Sequence, residues 1–408
     1  MSQLQKIAVA DLRLGMYLNK FDGSWLQNPF WKMGFVLAHP ADLRKAQQSG
    51  LQHCWIDPAQ GIAAPEQAAD VSAPVPAREP TPEPASPAPP RPPAGLASFD
   101  ESMSHARSIC SAARGATMAM FNEARLGNAI DTEACLPLIA DITESISSHS
   151  DALISLVRLK ASDDYTYMHS VAVCALMVAL AKTLGLDEAT CRNAGMAGLL
   201  HDIGKSCLPL EVLNKPGKLT DAEYATVRDH PLRGHQLLLK GKFANAAVLD
   251  VCLHHHEKFD GTGYPDRLRG EEISLLSRMG AVCDVYDAIT SNRPYKSGWD
   301  PAESVAKMLS WAGHFDEKVL TAFIKTVGIY PTGSLVRLRS GRIAVVVEQH
   351  PTALTRPVIK AFFSEQSNTH IPTERIDLAR PGETEMIVGR ATRGHWDAAN
   401  IDRIWAGG

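Results

Sequence analysis

The sequence lacks the features of secreted, membrane-spanning and nucleic-acid-binding proteins. Its eight cysteines are scattered without a CxxC pair, which excludes a dense disulfide framework and predicts reduced thiols. The formal net charge is only -4, so we expect no large basic face for a nucleic-acid polymer. The N-terminus has no signal-like pattern, and the longest apolar run, residues 171–181, is shorter than the about 20 residues that span a bilayer. We therefore expect a cytoplasmic protein without membrane insertion.

Proline is distributed unevenly and divides the chain. Eleven prolines fall within residues 65–93, and such a composition cannot build a packed core. We predict a flexible Pro/Ala-rich linker over residues 63–97. Before it, strand-like pieces at residues 12–18, 34–38 and 54–57 surround one amphipathic segment at residues 40–49. This mixture predicts a small α/β domain over residues 1–62, to which we assign a regulatory role.

Helical periodicity dominates the middle of the chain. Apolar residues recur at i, i+3, i+4 and i+7 from Phe99 to about Thr326, which predicts a helical catalytic domain over residues 98–330. After Gly328 the pattern becomes strand-like, with a hairpin turning at Gly341 and a further strand at residues 358–363. This predicts a β-rich C-terminal extension over residues 331–408. The expected fold class is therefore mainly α, with small β-containing parts at both ends.

Histidines are concentrated in the helical region and indicate metal binding. Seven of the fifteen lie close together in sequence: His169, His201, His230, His235, His254, His255 and His256. Imidazoles and carboxylates on neighbouring helices form a typical donor set for divalent transition metals. A lone histidine is more often a core or surface residue, and we assign that role to His235 and His254. The pair His201-Asp202 is more informative, because unpaired ionisable groups in an apolar helical stretch would be costly.

The motifs resemble those of the HD-domain metal-dependent phosphohydrolases, and within them the HD-GYP cyclic di-GMP phosphodiesterases. The matching stretches are residues 165–170 (YTYMHS), 200–205 (LHDIGK), 214–220 (NKPGKLT), 230–231 (HP), 255–257 (HHE), 261–265 (GTGYP), 284–290 (DVYDAIT) and 293–296 (RPYK). The resemblance covers roughly residues 100–330 and implies an HD-type helical bundle. The N-terminal unit resembles a domain of unknown function that is often joined to HD-GYP domains.

The resemblance also implies roles for individual residues. The implied metal ligands are His169, His201, Asp202, His230, His255, His256 and Asp284. Asp202 would bridge two metals, and Lys205 would lie beside them and meet a phosphate oxygen, so His201, Asp202 and Lys205 form the implied catalytic group. The implied substrate-binding residues are Lys205, Tyr264, Asp287, Arg293 and Lys296. For Asp287 a role in orienting a ligand is the alternative.

Residue 165 bears on the number of metals. Family members with a third metal carry a Glu one turn before the first histidine, and this chain has Tyr165 there. A phenol has a pKa of about 10 and is a poor ligand near neutral pH, so we expect two metals rather than three. Ligation by nitrogen and oxygen favours iron, manganese, nickel or zinc over magnesium or calcium, and among these the resemblance implies iron or manganese. Asp163 or Asp164 could still supply a weak third site.

These assignments predict hydrolysis of the 3'-5' phosphodiester of cyclic di-GMP to pGpG or GMP, with a metal-bridged hydroxide as nucleophile. One alternative is a catalytically weak sensor that binds GGDEF-domain proteins through the GYP loop. The other is cyclic GMP-AMP as substrate. A homodimer and the signal sensed by the N-terminal domain are left open.

Overall fold

The structure is a computed structural model. It describes residues 4–22, 35–47, 52–62, 99–157, 165–213, 215, 217–241, 243, 245–291, 298–350, 353–392 and 398–406. The chain divides into two compact units, Met1–Ala97 and Ser98–Gly408. The predicted Pro/Ala-rich linker lies outside the described residues. The boundaries of the four segments drawn from the sequence stay predictions.

The first unit is a four-stranded antiparallel sheet with one helix. Its elements are β1 (Gln5–Ala8), β2 (Tyr17–Asp22), β3 (Phe35–Val36), α1 (Pro40–Gln47) and β4 (His53–Ile56), in the sheet order β1-β4-β2-β3. The predicted small α/β domain is confirmed. The strand expected over residues 12–18 is wrong in its first half, because residues 14–15 form a turn in which Gly15 has φ +90°. Strand β1 was not predicted.

The second unit begins with helices. They are α2 (Phe99–Arg125), α3 (Leu136–Val157), α4 (Tyr165–Thr183), α5 (Glu188–Leu200), α6 (Leu210–Leu213), α7 (Asp221–Arg228), α8 (His230–Lys240), α9 (Ala246–His254), α10 (Leu275–Thr290), α11 (Pro301–Ser310) and α12 (Glu317–Val327). Helix α4 is central and packs against α2, α3, α5, α10 and α12. Within the described residues, the segment Thr166–Thr183 of α4 is the one stretch long and apolar enough to cross a membrane, and 78% of it is buried inside the protein. Its burial agrees with the core helix expected from the sequence.

Glycines bring the site-bearing helices unusually close. A Cβ on Gly198 of α5 would lie 2.8 Å from Cys174 Cα of α4, so only glycine permits this contact. A Cβ on Gly204 would lie 1.9 Å from the carbonyl oxygen of His230, at the start of α8. These two contacts draw α4, the end of α5 and the beginning of α8 towards one point.

A five-stranded antiparallel sheet follows the helices. Its elements are β5 (Leu335–Leu338), β6 (Arg342–Glu348), β7 (Val358–Ser364), β8 (Thr369–Asp377) and β9 (Ile387–Arg390), in the order β8-β7-β6-β5-β9, followed by α13 (Ala398–Ala406). The predicted hairpin is confirmed, with Gly341 at φ +76° in its turn. The sheet joins the helices at α11, where Asp300 Oδ2 accepts the backbone N–H of Leu335 at 3.1 Å. The mainly α fold class is confirmed.

Candidate metal centre

Residues from five parts of the helical unit meet in one buried cluster. His169 comes from α4, His230 from the first residue of α8, and Asp284 from α10. His255 and His256 directly follow α9. The sequence placed His201-Asp202 within a helix, and this is wrong: α5 ends at Leu200, His201 caps it, and Asp202 leads into a 3-10 turn at Ile203–Cys207. The break turns the two side chains of the pair to the same cluster.

Asp202 lies at the centre, with each carboxylate oxygen facing different histidines. Its Oδ2 lies 3.4 Å from His169 Nε2 and 3.3 Å from His201 Nε2. Its Oδ1 lies 3.0 Å from His230 Nε2 and 3.8 Å from His255 Nε2. A carboxylate in this position can bridge two cations.

Asp284 supplies a second carboxylate to the cluster. Its Oδ1 lies 2.9 Å from His169 Nε2, and its Oδ2 lies 3.7 Å from His256 Nδ1. Two groups of donors could each hold a metal ion, with ligand atoms within 4.8 Å of one another: His169, His201 and Asp202 in one, and His230, His255 and His256 in the other. The structure thus brings together all seven residues that the motifs implied as ligands.

Hydrogen bonds behind the histidines orient the rings. Nδ1 donates to a main-chain carbonyl in His201 (Gly198 O, 2.8 Å), His230 (Val227 O, 2.7 Å) and His255 (Val251 O and Cys252 O, both 3.1 Å). Because a carbonyl can only accept, these Nδ1 atoms carry the proton and each Nε2 lone pair faces the cluster. This is the tautomer that a metal ligand requires.

Asp287 performs the same task for His169. Its Oδ2 lies 2.6 Å from His169 Nδ1, and its side chain is buried. Of the two roles considered from the sequence, this position favours orienting a ligand over contact with a substrate. The i, i+3 spacing from Asp284 places both carboxylates on one face of α10, one in the cluster and one behind it.

The electrostatics of the cluster favour ionised carboxylates at Asp202 and Asp284 and neutral imidazoles at His255 and His256. At His169, burial is outweighed by the hydrogen bonds to Asp284 and Asp287, which raise its pKa. Burial raises the pKa of Asp202, but Lys205, His201 and His230 outweigh burial and hold that pKa well below its usual value. Burial also opposes ionisation of Asp284, and bonding to His169 again lowers the pKa overall. Burial lowers the pKa of His256 to about 3. These are the protonation states in which such groups bind metals.

Two buried polar atoms indicate whether the donor set is suited to metal ions. His201 Nε2 and Asp202 Oδ1 are buried and have no hydrogen-bond partner among the described residues. Leaving such atoms unsatisfied would cost about 1–3 kcal/mol each. Divalent cations in the cluster would satisfy both atoms, so the donor set fits the metals that the motifs imply.

Lys205 and Tyr264 border the cluster as the motifs implied. Lys205 donates a hydrogen bond to Asp202 Oδ2 and keeps 21% of its side chain exposed. The Tyr264 ring stacks on His256, with centroids 4.9 Å apart and planes at 28°. A Cβ on Gly263 would lie 2.3 Å from the backbone nitrogen of Lys258, so this glycine permits close packing of the GYP loop on the HHE segment.

Two contributors to the site were not recognised from the sequence. Glu257 is buried, and its Oε1 accepts the backbone N–H groups of Asp266 (2.7 Å) and Arg267 (2.9 Å), which holds the chain after Tyr264-Pro265. Arg228 lies over the Tyr264 ring at 4.4 Å. The position of Glu257 directly after the two histidines was its only signal. Arg228 stands two positions before His230 and had no signal.

Several assignments remain untested or have a plain structural role. Arg293 and Lys296 lie outside the described residues. Tyr165 is the first residue of α4, but its side chain is not among those that the structure describes. The expectation of two metals therefore stays a prediction. His254 bonds Asp250 and Asp266, at 2.7 and 3.0 Å, which agrees with the structural role predicted for it.

The chain is similar to several known proteins. The chain matches the HD domain model over residues 137–319 and the model "Domain of unknown function (DUF3391)" over residues 4–135. It is 52% identical to the cyclic di-GMP phosphodiesterase PA4108 of Pseudomonas aeruginosa, over 99% of this chain and 96% of that protein. It is 34% identical to 3'3'-cGAMP-specific phosphodiesterase 1 of Vibrio cholerae, over 43% of this chain and 41% of that protein.

A solved structure was also compared. The HDG"Y"P protein Bd1817 of Bdellovibrio bacteriovorus has 17% identity and a TM-score of 0.47, covering 79% of this chain and 98% of that chain.

A helical fold with a buried His/Asp cluster and a matching family model defines the class: the chain belongs to the HD-domain metal-dependent phosphohydrolases. Within that class it is a phosphodiesterase of the HD-GYP type with an N-terminal DUF3391 domain, as the near full-length match shows. The family predicted from the motifs is confirmed.

Proposed function

We propose that the protein hydrolyses cyclic di-GMP to linear pGpG, GMP or both, at a bimetallic centre. The observation that best supports this proposal is the position of Asp202. Its two carboxylate oxygens face separate pairs of histidines at 3.0–3.8 Å. The 52% identical relative, matched over 96% of its length, is named a cyclic di-GMP phosphodiesterase, which supports the substrate.

His169, His201 and Asp284 would hold one metal, and His230, His255 and His256 the other, with Asp202 shared between them. When bound, iron or manganese, or alternatively nickel or zinc, would stabilise negative charge on the phosphate and lower the pKa of an attacking water. We propose two such metals rather than three, because Tyr165 occupies the position where a third would need a carboxylate.

The chain's own residues would position the substrate and the ligands. Lys205, anchored on Asp202 Oδ2, carries its positive charge at the edge of the cluster, where it can meet a nonbridging phosphate oxygen. Tyr264 covers the outer face of His256 and would border the bound nucleotide. We assign Arg293 and Lys296 to the substrate's phosphates on their motif alone. Asp287 would keep His169 in its ligating orientation.

Cyclic GMP-AMP is the second candidate substrate, because a 34% identical relative is named for 3'3'-cGAMP. Side-by-side hydrolysis of both cyclic dinucleotides decides between them. We place the reaction in the cytoplasm. A GGDEF-domain protein at the GYP loop and a homodimer are further proposals, which pull-down and sedimentation measurements can address.

The proposal is tested with the full chain purified and loaded with Fe(II) or Mn(II). We expect conversion of cyclic di-GMP to pGpG or GMP, followed by chromatography, and loss of this activity when His201→Ala and Asp202→Ala are combined. The matched control is His235→Ala on α8, which lies outside the cluster and should retain activity. Undiminished hydrolysis by the double variant would refute the proposal.

A further inference from the structure

Arg228 occupies a fixed position beside the metal cluster. It is the last residue of α7 and stands two positions before His230. The register of α7 is set by a capping box, in which Thr220 and Glu223 each bond the other's backbone N–H. The side chain of Arg228 is exposed. The backbone of Arg228 is therefore fixed by the capped helix before it and by His230 after it, while its guanidinium reaches the surface.

The guanidinium continues the stack that begins at the metal cluster. Its Cζ lies 4.4 Å from the centroid of Tyr264 and 6.0 Å from that of Tyr224. Tyr264 in turn stacks on His256. The cation thus lies one ring further out than the imidazole of a proposed ligand, in cation–π contact with Tyr264.

The N–H groups of the Arg228 guanidinium are not used within the described part of the chain. Among the described residues, the Arg228 guanidinium has no carboxylate partner and no hydrogen bond, whereas Arg233 bonds Asp229 and Arg278 bonds Asp316, both at 2.6 Å. A planar guanidinium held by stacking leaves its N–H edge available for an anion, and its fork matches the geometry of a phosphate.

We propose that Arg228 binds the phosphate of the cyclic dinucleotide that is not being cleaved. This inference rests on the proposed function. The scissile phosphate must lie against the His/Asp cluster, and the other phosphate lies across the macrocycle, further from the metals. Arg228 is separated from His256 of the cluster by the stacked Tyr264 ring, and its positive charge is opposite to that of a phosphate.

The test compares two substrates that differ in the number of their phosphates. Cyclic di-GMP has a second phosphate, whereas bis(p-nitrophenyl) phosphate has only the scissile one. For Arg228→Gln we expect the KM for cyclic di-GMP to rise about 10- to 100-fold, as for a lost charge-assisted contact, with little change in kcat. Hydrolysis of bis(p-nitrophenyl) phosphate should be unchanged. Arg228→Lys, which keeps the charge but loses the fork, should fall in between.

Arg192→Gln is the matched control, because Arg192 is an exposed arginine on α5 that pairs, within the described part of the chain, with Glu188 alone. It should leave both substrates unaffected. A parallel loss on both substrates in Arg228→Gln would overturn the inference, since Arg228 would then act by supporting Tyr264 and His256. Unchanged kinetics with cyclic di-GMP would overturn it too.

Failure of the proposed function is distinguishable from failure of this inference. If the wild-type protein does not hydrolyse cyclic di-GMP, the proposed function fails. Calorimetric binding of cyclic di-GMP to wild type and Arg228→Gln then decides the phosphate contact. A weaker affinity in the variant supports it, and equal affinity refutes it.

Discussion

At the scale of single residues, the charge of Asp202 is the property on which the cluster depends. Asp202→Asn keeps the size of the side chain but replaces an oxygen that faces either His169 and His201 or His230 and His255. We expect the metal content per chain to fall to one or less and kcat to fall about 1000-fold, equivalent to several kcal/mol. Metal analysis of the purified variant, beside its turnover of cyclic di-GMP, checks this. Two metals retained in the variant would contradict the bridging role.

We expect Asp287 to act on the proposed metals through His169. Asp287→Ala removes the acceptor at 2.6 Å from His169 Nδ1 and should weaken metal affinity about 10- to 100-fold. Asp287→Asn keeps an acceptor without the charge, so its effect should be smaller. Competition with a chelator measures both affinities. If Asp287 contacts substrate instead, the variants would keep their metal affinity and raise the KM.

At the scale of elements, the approach of the Ile203–Cys207 turn to α8 depends on a residue without a side chain. A methyl group at position 204 would lie 1.9 Å from His230 O and 2.5 Å from Gly234 N, so Gly204→Ala must push the turn away from α8. We expect a loss of about 1–3 kcal/mol in the free energy of unfolding, together with weaker metal binding as Asp202 moves from His230. Gly389→Ala is the control, because no atom lies within 4 Å of its added Cβ. Equal melting temperatures of the two variants would contradict the expectation.

Asp250 joins α9 to the start of α10 and makes the stability of this joint depend on pH. Burial raises its pKa, but hydrogen bonds from His254, Ser274 and Ser277 outweigh burial and lower it from 3.8 to about 2. The carboxylate therefore contributes stability that is present above pH 4 and is lost as the pH falls towards 2. The shift corresponds to about 1–2 kcal/mol once its 32% exposure is allowed for.

Asp250→Asn removes this titration. The difference in urea midpoint between wild type and variant should be largest near pH 6 and shrink as the pH falls below about 4. A difference that stays constant over this range would show that the ionised carboxylate does not stabilise the joint.

Much of the helical architecture could be predicted because it depends on local patterns. Apolar periodicity predicted the helical region from Phe99 to about Thr326, and the last of its helices ends at Val327. The break after Leu200 could not be predicted, because an apolar pattern runs through it and the turn is imposed by packing on α8. The contact of His169 with Asp287 joins residues 118 positions apart, so it depends on how α4 meets α10. Motif spacing identifies such residues without showing which atoms meet.

At the scale of the whole molecule, the family match and the folding unit have different boundaries. The DUF3391 match runs over residues 4–135, whereas the compact units divide between Ala97 and Ser98. Helix α2 therefore falls inside the matched region but folds with the second unit. It packs against α3 and α4, and Phe121 meets Tyr167 edge to face at 5.5 Å. Ile109, Ala113 and Phe121 are buried within this packing.

Two truncations distinguish these boundaries. A chain starting at residue 98 keeps α2 and should melt cooperatively and bind metal like the full chain. A chain starting at residue 136 loses α2 and exposes the faces of α3 and α4 that it covers. Burial of each large apolar side chain contributes about 1.5–3 kcal/mol, against about 5–15 kcal/mol for a whole domain, so the shorter chain should not fold. Circular dichroism and metal content check both chains. Cooperative melting of the shorter chain would show that α2 belongs functionally to the N-terminal domain, since the metal-binding unit would then be stable without it.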